Sequence, residues 1–223
     1  MTDSDLRTRV AAANRAIDGA GLVTLAFGNV SGVDRAAGVL LIKPSGVPCA
    51  DITPADLVAV RLDDGGVIDG DRRPSTDTPT HRRLYLEFPD IGGVVHTHST
   101  YAVAWAARGQ EIPCVITAMA DEFGGPIPVG PFAIIGDDSI GRGIVETLTG
   151  HRSRAVLMQN HGPFTIGATA KDAVKAAVML EDVARTVHIA AQGGPLIPIP
   201  QEAIDRLYTR YQSVYGQATD ERR

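Results

Sequence analysis

The chain reads as a single α/β domain, and three observations predict it. Apolar residues recur at helical spacing in some segments and form short continuous or alternating runs in others, so both helices and strands are present. The two kinds of segment are mixed irregularly, without the steady strand–helix–strand alternation of a doubly wound sheet. No repeat, low-complexity tract or linker divides the 223 residues, and 44% hydrophobic with 21% charged residues is ordinary for a soluble globular chain. Such a length buries a substantial core without staples.

Leu6, Val10, Ala13 and Ile17 predict a first helix, ended by Asp18-Gly19 and Gly21. "LVTLAF" (22–27) reads as a short strand entering the loop "GNVSGVD", and "GVLLIKPSG" as a strand running into a Pro-Ser-Gly turn. "LVAVRLDDGGVIDGD" carries a hairpin signal in Asp-Asp-Gly-Gly. In "STDTPTHRRLYLEF", Thr78 is expected to cap a helix with Pro79 at its first position. "GGVVHTH" reads as a strand, and "STYAVAWAARG" as a helix closed by Gly109. "GPFAIIGDDSIGRGIVETL" predicts strand, turn, helix; "RAVLMQNHGPFTIG" predicts two buried strands joined at Asn160–Pro163. The longest helix opens at Thr169, with Asp172 three residues on as a capping-box variant, and its stripe of Val174, Ala177, Val178, Val183 and Val187 is expected in the core. A last helix spans "QEAIDRLYTRYQSVYGQ".

A net charge of −5 gives no footing for nucleic acid or an anionic membrane as partner, so a phosphate ligand would be held by local dipoles and hydroxyls. Cys49 and Cys114 match no metal or redox spacing and are expected to pack as small apolar residues. No apolar secretory core and no run approaching a transmembrane length is visible, which predicts a cytoplasmic protein.

Three groups of residues could carry chemistry. His96 and His98, two apart on a predicted strand, share a face about 7 Å apart along the backbone, and His161 sits at a tight turn. Taken alone, such histidines fill a core or begin a metal site. An open site of three histidines is what a catalytic zinc takes, and Asp77 could be a fourth ligand or a base. His81, His151 and His188 read as structural. The second group is Gly28-Asn29, Ser45-Gly46 and Ser75-Thr76, with Lys43 before the second pair. Glycine amides, hydroxyls and an ammonium are the parts of a phosphate cradle, although each alone is an ordinary loop. Third, Asp121 and Tyr215 lie in polar breaks; they could be an acid/base pair, or simply cap a turn and pack a terminal helix. Glu122 is the less attractive neighbour.

The stretches "GNVSG", "IKPSG", "PSTDTPTHRRLY", "GGVVHTHSTYAVAWA", "MADEFGGPIPVGPF", "QNHGPF" and "VYGQ", colinear from about residue 3 to 217, resemble the class II aldolase/epimerase family. The resemblance implies one domain over 1–217 with a polar tail at 218–223, and a mostly antiparallel central sheet between helical layers. It implies one zinc, or another divalent ion, per subunit on Asp77, His96, His98 and His161. Substrate would be held by Gly28, Asn29, Lys43, Ser45, Gly46, Ser75 and Thr76, chiefly at its phosphate, with Asp121 and Tyr215 as proton carriers. Aspartate at position 77, where the aldolases carry glutamate, together with Asp121 and Tyr215, points to the epimerase branch. That implies a small phosphorylated ketose as partner: L-ribulose 5-phosphate would be interconverted with D-xylulose 5-phosphate by breaking and remaking C3–C4, in L-arabinose catabolism. A homotetramer with active sites at subunit interfaces is implied, Tyr215 coming from the neighbouring chain. The alternative is a zinc aldolase cleaving a ketose 1-phosphate to dihydroxyacetone phosphate and a short aldehyde; a non-catalytic adducin-like scaffold would lack the three histidines. Ser75-Thr76 replaces the Ser-Ser pair frequent in relatives, which keeps the hydroxyl, and the 131–154 segment is shorter than in some of them.

Overall fold

A computed structural model describes residues 4–214. Helix α1 (Ser4–Gly19) is followed by strands β1 (Asn29–Asp34), β2 (Val39–Ile42), β3 (Val58–Arg61) and β4 (Val67–Asp69). Then come α2 (Thr78–Glu87), β5 (Gly93–His96), α3 (Thr100–Arg108), α4 (Thr117–Phe123), β6 (Val129–Gly130), α5 (Ser139–Leu148), β7 (Ala155–Met158), β8 (Gly162–Gly167), α6 (Ala170–Gln192) and α7 (Gln201–Val214). Among the described residues the strands form one sheet ordered β4-β3-β2-β1-β5-β8-β7-β6. Every pairing is antiparallel except β6 with β7. This is the mostly antiparallel sheet between helical layers that the resemblance implied.

The strands alternate between two apolar faces because helices cover both. Val39, Leu41, Ala59 and Val95 pack with α1 and the start of α6. Leu40, Ile42, Val58, Val60, Val94 and Val156 pack with Leu84 and Tyr85 of α2 and Ile140 and Ile144 of α5. A third cluster joins α3, α4, α6 and α7 over Ala155 and Leu157. Helix α6 lies so close to the sheet that a Cβ on Gly93 would stand 2.4 Å from the Ala170 Cα, so only glycine fits there. Thr169 caps α6 as expected, its hydroxyl accepting from the Asp172 N–H. Gly109 closes α3 at φ 60°.

Several elements differ from expectation. "LVTLAF" is not a strand: Phe27 N–H closes a turn onto the Thr24 carbonyl, Leu25 takes φ 56°, and pairing begins at Asn29. Strand β5 stops at His96, so His98 lies beyond the ladder. Asp77 rather than Thr78 holds the N-cap position of α2. Of "GPFAII" (130–135) only Gly130 is in a strand, at the end of β6 (Val129–Gly130), and Asp121 lies on the unforeseen short helix α4. The β7–β8 turn ends at His161, since Gly162 and Pro163 already pair with β7. On α6 the core face is Ala173, Ala177, Leu180, Val183, Ala184 and Val187, while Val178 faces outward. Cys49 and Cys114 are buried free thiols, in keeping with small apolar packing. No helix among the described residues is long and apolar enough to cross a membrane.

One buried polar residue ties helix to sheet. The Asn14 amide donates to the Val10 and Val30 carbonyls (2.9 and 3.0 Å) and accepts from the Val30 N–H (2.9 Å). It thereby serves β1 at Val30, one residue before the β1–β2 register begins at Ser31. Asn14→Ala leaves the Val30 N–H and C=O buried without these partners. We expect it to destabilise the chain by about 2–4 kcal/mol in denaturant unfolding; a loss within experimental error would show that the bond is dispensable.

Candidate active site

The site grows from one row of the sheet. Asn29 on β1, His96 on β5 and Phe164 on β8 are cross-strand partners, so their side chains share a face. The preceding row on that face contains Ser31, whose hydroxyl meets His81 Nδ1 (2.7 Å) and Tyr85 OH (2.8 Å) of α2. Ser31 therefore anchors α2 one helical turn from Asp77, and Asn29, two residues before Ser31, reaches Asp77 itself. The Asn29 amide donates to Asp77 Oδ2 (2.7 Å) and Ser75 Oγ (3.1 Å). Asp77 makes no side-chain cap bond to its own helix. Asp77 Oδ1 and Asn29 Oδ1 are buried acceptors with no hydrogen-bond partner among the described residues.

His96 stacks on Phe164 (centroids 4.1 Å apart, planes at 14°) and its Nδ1 lies 3.0 Å from the Pro163 carbonyl. A carbonyl only accepts, so Nδ1 carries the proton and Nε2 keeps its lone pair. Beyond His96 the chain leaves the ladder and brings His98 Nε2 to 3.0 Å from His96 Nε2, which replaces the parallel, strand-borne pair expected from alternation. His161 arrives from the β7–β8 turn, where Asn160 takes φ 57°. Ligand atoms of the three rings all lie within 4.8 Å of one another.

The turns converge on the same place. Pro44 and Pro74 bridge, and Ser75 N–H donates to the Lys43 carbonyl (3.0 Å), which sets Ser45-Gly46 beside Ser75-Thr76. The buried Lys43 ammonium donates to the carbonyls of Val47 (2.6 Å) and Ala26 (3.1 Å), pinning the loops that carry Ser45-Gly46 and Gly28. Gly28 (φ 89°) lies so near β5 that a Cβ would meet Val23 Cγ1 at 2.5 Å and the His96 carbonyl at 3.0 Å. A cavity of about 490 Å³ is lined by Gly28, Asn29, Lys43, Ser45, Gly46, Ser75, Thr76, Asp77, His96, His98 and His161. Ala26, Phe27 and Ile135 complete its lining.

Asp121 does not line this cavity. It sits on α4, where Gln212 of α7 donates to its carbonyl (3.4 Å) and its own Oδ1 is buried without a partner among the described residues. Neighbouring Glu122 is ion-paired with Lys175 (2.7 Å). Tyr215 lies outside the described residues. His81, His151 and His188 stand apart from the cavity lining: His81 holds Ser31, His151 accepts from the Ser153 N–H (3.0 Å), and His188 packs edge-on to Tyr101.

Burial governs the electrostatics. It pushes His81 down to about 4 and His96 to about 3, Asp77 opposing in both cases, and lowers His98 and His161 as well. Burial pushes the Asp77 carboxyl up, but His96, His81, the Asn29 amide and His161 together hold it below the usual carboxylate range. Burial likewise lowers the Lys43 ammonium against the opposing pull of Cys49 and Asp77. The result is a group of neutral imidazoles beside a carboxylate, the protonation states that metal ligands need. Two nitrogens on a tetrahedral zinc stand roughly 3.3 Å apart, and the His96–His98 separation is close to that. The donor set, its spacing and the unpartnered carboxylate oxygen therefore fit a divalent ion.

Sequence reasoning missed the supports. Glu181 of α6 accepts from the Tyr101 and Ala102 N–H groups (2.8 and 2.9 Å), holding the start of α3 just beyond His98. Its only signal was a carboxylate on the flank of α6, between buried Leu180 and exposed Asp182. The Pro163 carbonyl and the Phe164 ring left no signal beyond "NHGPF" itself.

A sheet-end cavity lined by three clustered imidazoles, a carboxylate and hydroxyl-bearing turns suits a divalent ion and a small polar ligand. The profile of the Class II Aldolase and Adducin N-terminal domain matches residues 8–188, and the chain belongs to that family. A protein named L-ribulose-5-phosphate 4-epimerase UlaF from Salmonella paratyphi B is 40% identical over 225 aligned positions, covering 95% of this chain and 98% of its own. Among solved structures, an L-fuculose 1-phosphate aldolase superposes with TM-score 0.89 at 25% identity, covering 95% of this chain and 98% of that one. YgbL of Klebsiella pneumoniae, described as a putative aldolase/epimerase/decarboxylase, gives 0.81 at 28% identity over 93% and 99%.

Two expectations follow. Unfolded histidine takes up its proton near 6.5, folded His81 only near 4 and His96 near 3. Unfolding therefore takes up protons below pH ~6.5, so the metal-free protein should lose stability steadily from about pH 6.5 towards 4. Denaturation midpoints in chelator would read this, and a flat profile would contradict it. Glu181→Ala should weaken divalent-ion affinity about 10-fold or more in competition with a chromogenic chelator; unchanged affinity would remove Glu181 from the support of His98.

Proposed function

We propose that this protein interconverts L-ribulose 5-phosphate and D-xylulose 5-phosphate by cleaving and re-forming the C3–C4 bond. The observation that carries the reading is the single cavity where three neutral imidazoles and a carboxylate face turns built of glycine amides and hydroxyls. Its support from relatives is the 40% identity over nearly the whole chain to a protein named for that reaction.

Inverting C4 by removing its hydrogen is unfavourable, because no carbonyl adjoins C4 to stabilise the carbanion. Breaking C3–C4 instead sends the bonding electron pair to C3, next to the C2 carbonyl, and leaves an enediolate of dihydroxyacetone. The C4 hydroxyl loses its proton as it becomes the carbonyl of glycolaldehyde phosphate. A divalent ion on His96, His98, His161 and Asp77, zinc in our reading, supplies Lewis-acid stabilisation of the negative charge that develops. Asn29 orients Asp77, and the Pro163 carbonyl fixes His96 with Nε2 aimed at the cavity. Ser45-Gly46, Ser75-Thr76 and Gly28-Asn29 bind the substrate, chiefly its phosphate; Lys43 secures their loops.

Inversion requires the C4 oxygen to lose its proton on one side and regain it on the other, and we assign these transfers to Asp121 and Tyr215. Asp121 stands outside the cavity of its own chain, and exposed Leu25 and Ile134 lie next to the cavity-lining stretches. Both features suit a homotetramer in which active sites form between subunits and a neighbour completes each site. The setting we propose is the cytoplasm, in L-arabinose breakdown.

Incubation with L-ribulose 5-phosphate should give D-xylulose 5-phosphate, abolished by chelator and restored by a divalent ion. Cleavage of ketose 1-phosphates with no epimer would replace this reading by the aldolase one. Tyr215→Phe should retain metal and assembly yet lose at least 100-fold in kcat; near-normal turnover would end its assigned role.

A further inference from the structure

In a cavity otherwise rich in hydroxyls, amides and imidazoles, the two large apolar side chains are Phe27 and Ile135. Both stay exposed, 59% and 48%, although the backbone around Phe27 is firmly held. Its N–H bonds the Thr24 carbonyl (3.1 Å), the preceding Ala26 carbonyl accepts from the Lys43 ammonium, and Gly28 after it admits no side chain. The same turn forces Leu25 to φ 56°, a left-handed conformation unfavourable for a γ-branched residue whose side chain is itself exposed. What the strained turn delivers is the Phe27 ring, laid nearly flat against His98 (centroids 5.7 Å apart, planes at 21°). An aromatic face is thus set beside an imidazole at which the reaction is proposed to occur.

We propose that Phe27, with Ile135, forms an apolar wall that retains the aldehyde fragment between cleavage and re-addition, and so decides between epimerisation and aldehyde release. The inference rests on the epimerase reading. In that reaction the fragment must turn over to present its other face before C3–C4 re-forms. Directional hydrogen bonds to the aldehyde carbonyl would hold one face in place and oppose inversion. An apolar wall confines the fragment and excludes water without imposing a direction, while the polar turns keep the phosphate end fixed. Widening the wall leaves cleavage chemistry in place but opens an exit.

The test is the ratio of free glycolaldehyde phosphate to D-xylulose 5-phosphate formed from L-ribulose 5-phosphate by the metal-loaded protein. The aldehyde is followed by hydrazine trapping, with metal content and sedimentation recorded for each variant. Wild type should release little aldehyde. Phe27→Ala should raise the ratio 10-fold or more, Ile135→Ala should raise it less, and Phe27→Trp should restore it towards wild type. A wild-type ratio in Phe27→Ala with metal and assembly intact overturns the wall, while wild-type epimerisation continues to support the reaction. Release that rises only in variants that have lost metal or assembly also overturns it, with Ile135→Ala deciding if Phe27→Ala fails to fold. Absence of epimer from wild type, by contrast, removes the epimerase reading and the wall with it.

Discussion

The hydrogen bond from His96 Nδ1 to the Pro163 carbonyl is the constraint on which the site depends. It joins the end of β5 to the start of β8, two residues after His161, and it settles which ring nitrogen of His96 faces the cavity. A carbonyl cannot donate, so the ring has one tautomer, and the Phe164 ring beneath it sets its plane. The other ligand candidates are then placed relative to this ring. His98 comes from the same chain two residues later, His161 from two residues before Pro163, and Asp77 through Asn29, the cross-strand neighbour of His96. The sheet register is thereby translated into a geometry that suits a divalent ion.

Around that centre, polar groups are buried in large number, and they are positioned by short hydrogen bonds to backbone and side-chain partners rather than by bulk charge. Lys43 spends its ammonium on loop carbonyls, Asn14 on the edge of β1, and Ser31 on α2. With a net charge of −5 the molecule offers no general attraction to phosphate, so the proposed phosphate binding would rest on amides and hydroxyls fixed at close range. Burial also keeps the imidazoles neutral, at a cost in stability that the fold recovers through the two apolar faces of the sheet.

Much of this was legible in the sequence, and for identifiable reasons. His161, the hydroxyl turns and Lys43 lie beside glycine or proline breaks, and His96 and His98 close an apolar run; both signals mark strand ends, and strand ends on one side of a sheet meet. Helices with strong periodicity, α1 and α6, were readable together with the Thr169 cap. What failed was local. "LVTLAF" has the composition of a strand but is bent by its turn, and alternation along "HTH" presumed a ladder that stops at His96. Val178 has an apolar side chain on the exposed side of α6, which periodicity could not weigh against the small neighbouring Ala176 and Ala177 that are buried instead. Supports such as Glu181 and the Pro163 carbonyl act through backbone groups, to which a sequence of side chains gives no pointer.

The central claim is that His96, His98 and His161 bind one divalent ion per chain and leave a coordination position open. Its most direct measurement is titration of the metal-free protein with Co²⁺, followed by visible absorption in the wild type and in His96→Ala, His98→Ala and His161→Ala. The account predicts saturation at one equivalent in the wild type, with an intense d–d spectrum of four- or five-coordinate cobalt that shifts on adding sugar phosphate. Each histidine variant should weaken or abolish that spectrum. Saturation unaffected by all three substitutions, or weak octahedral absorption alone, would contradict it.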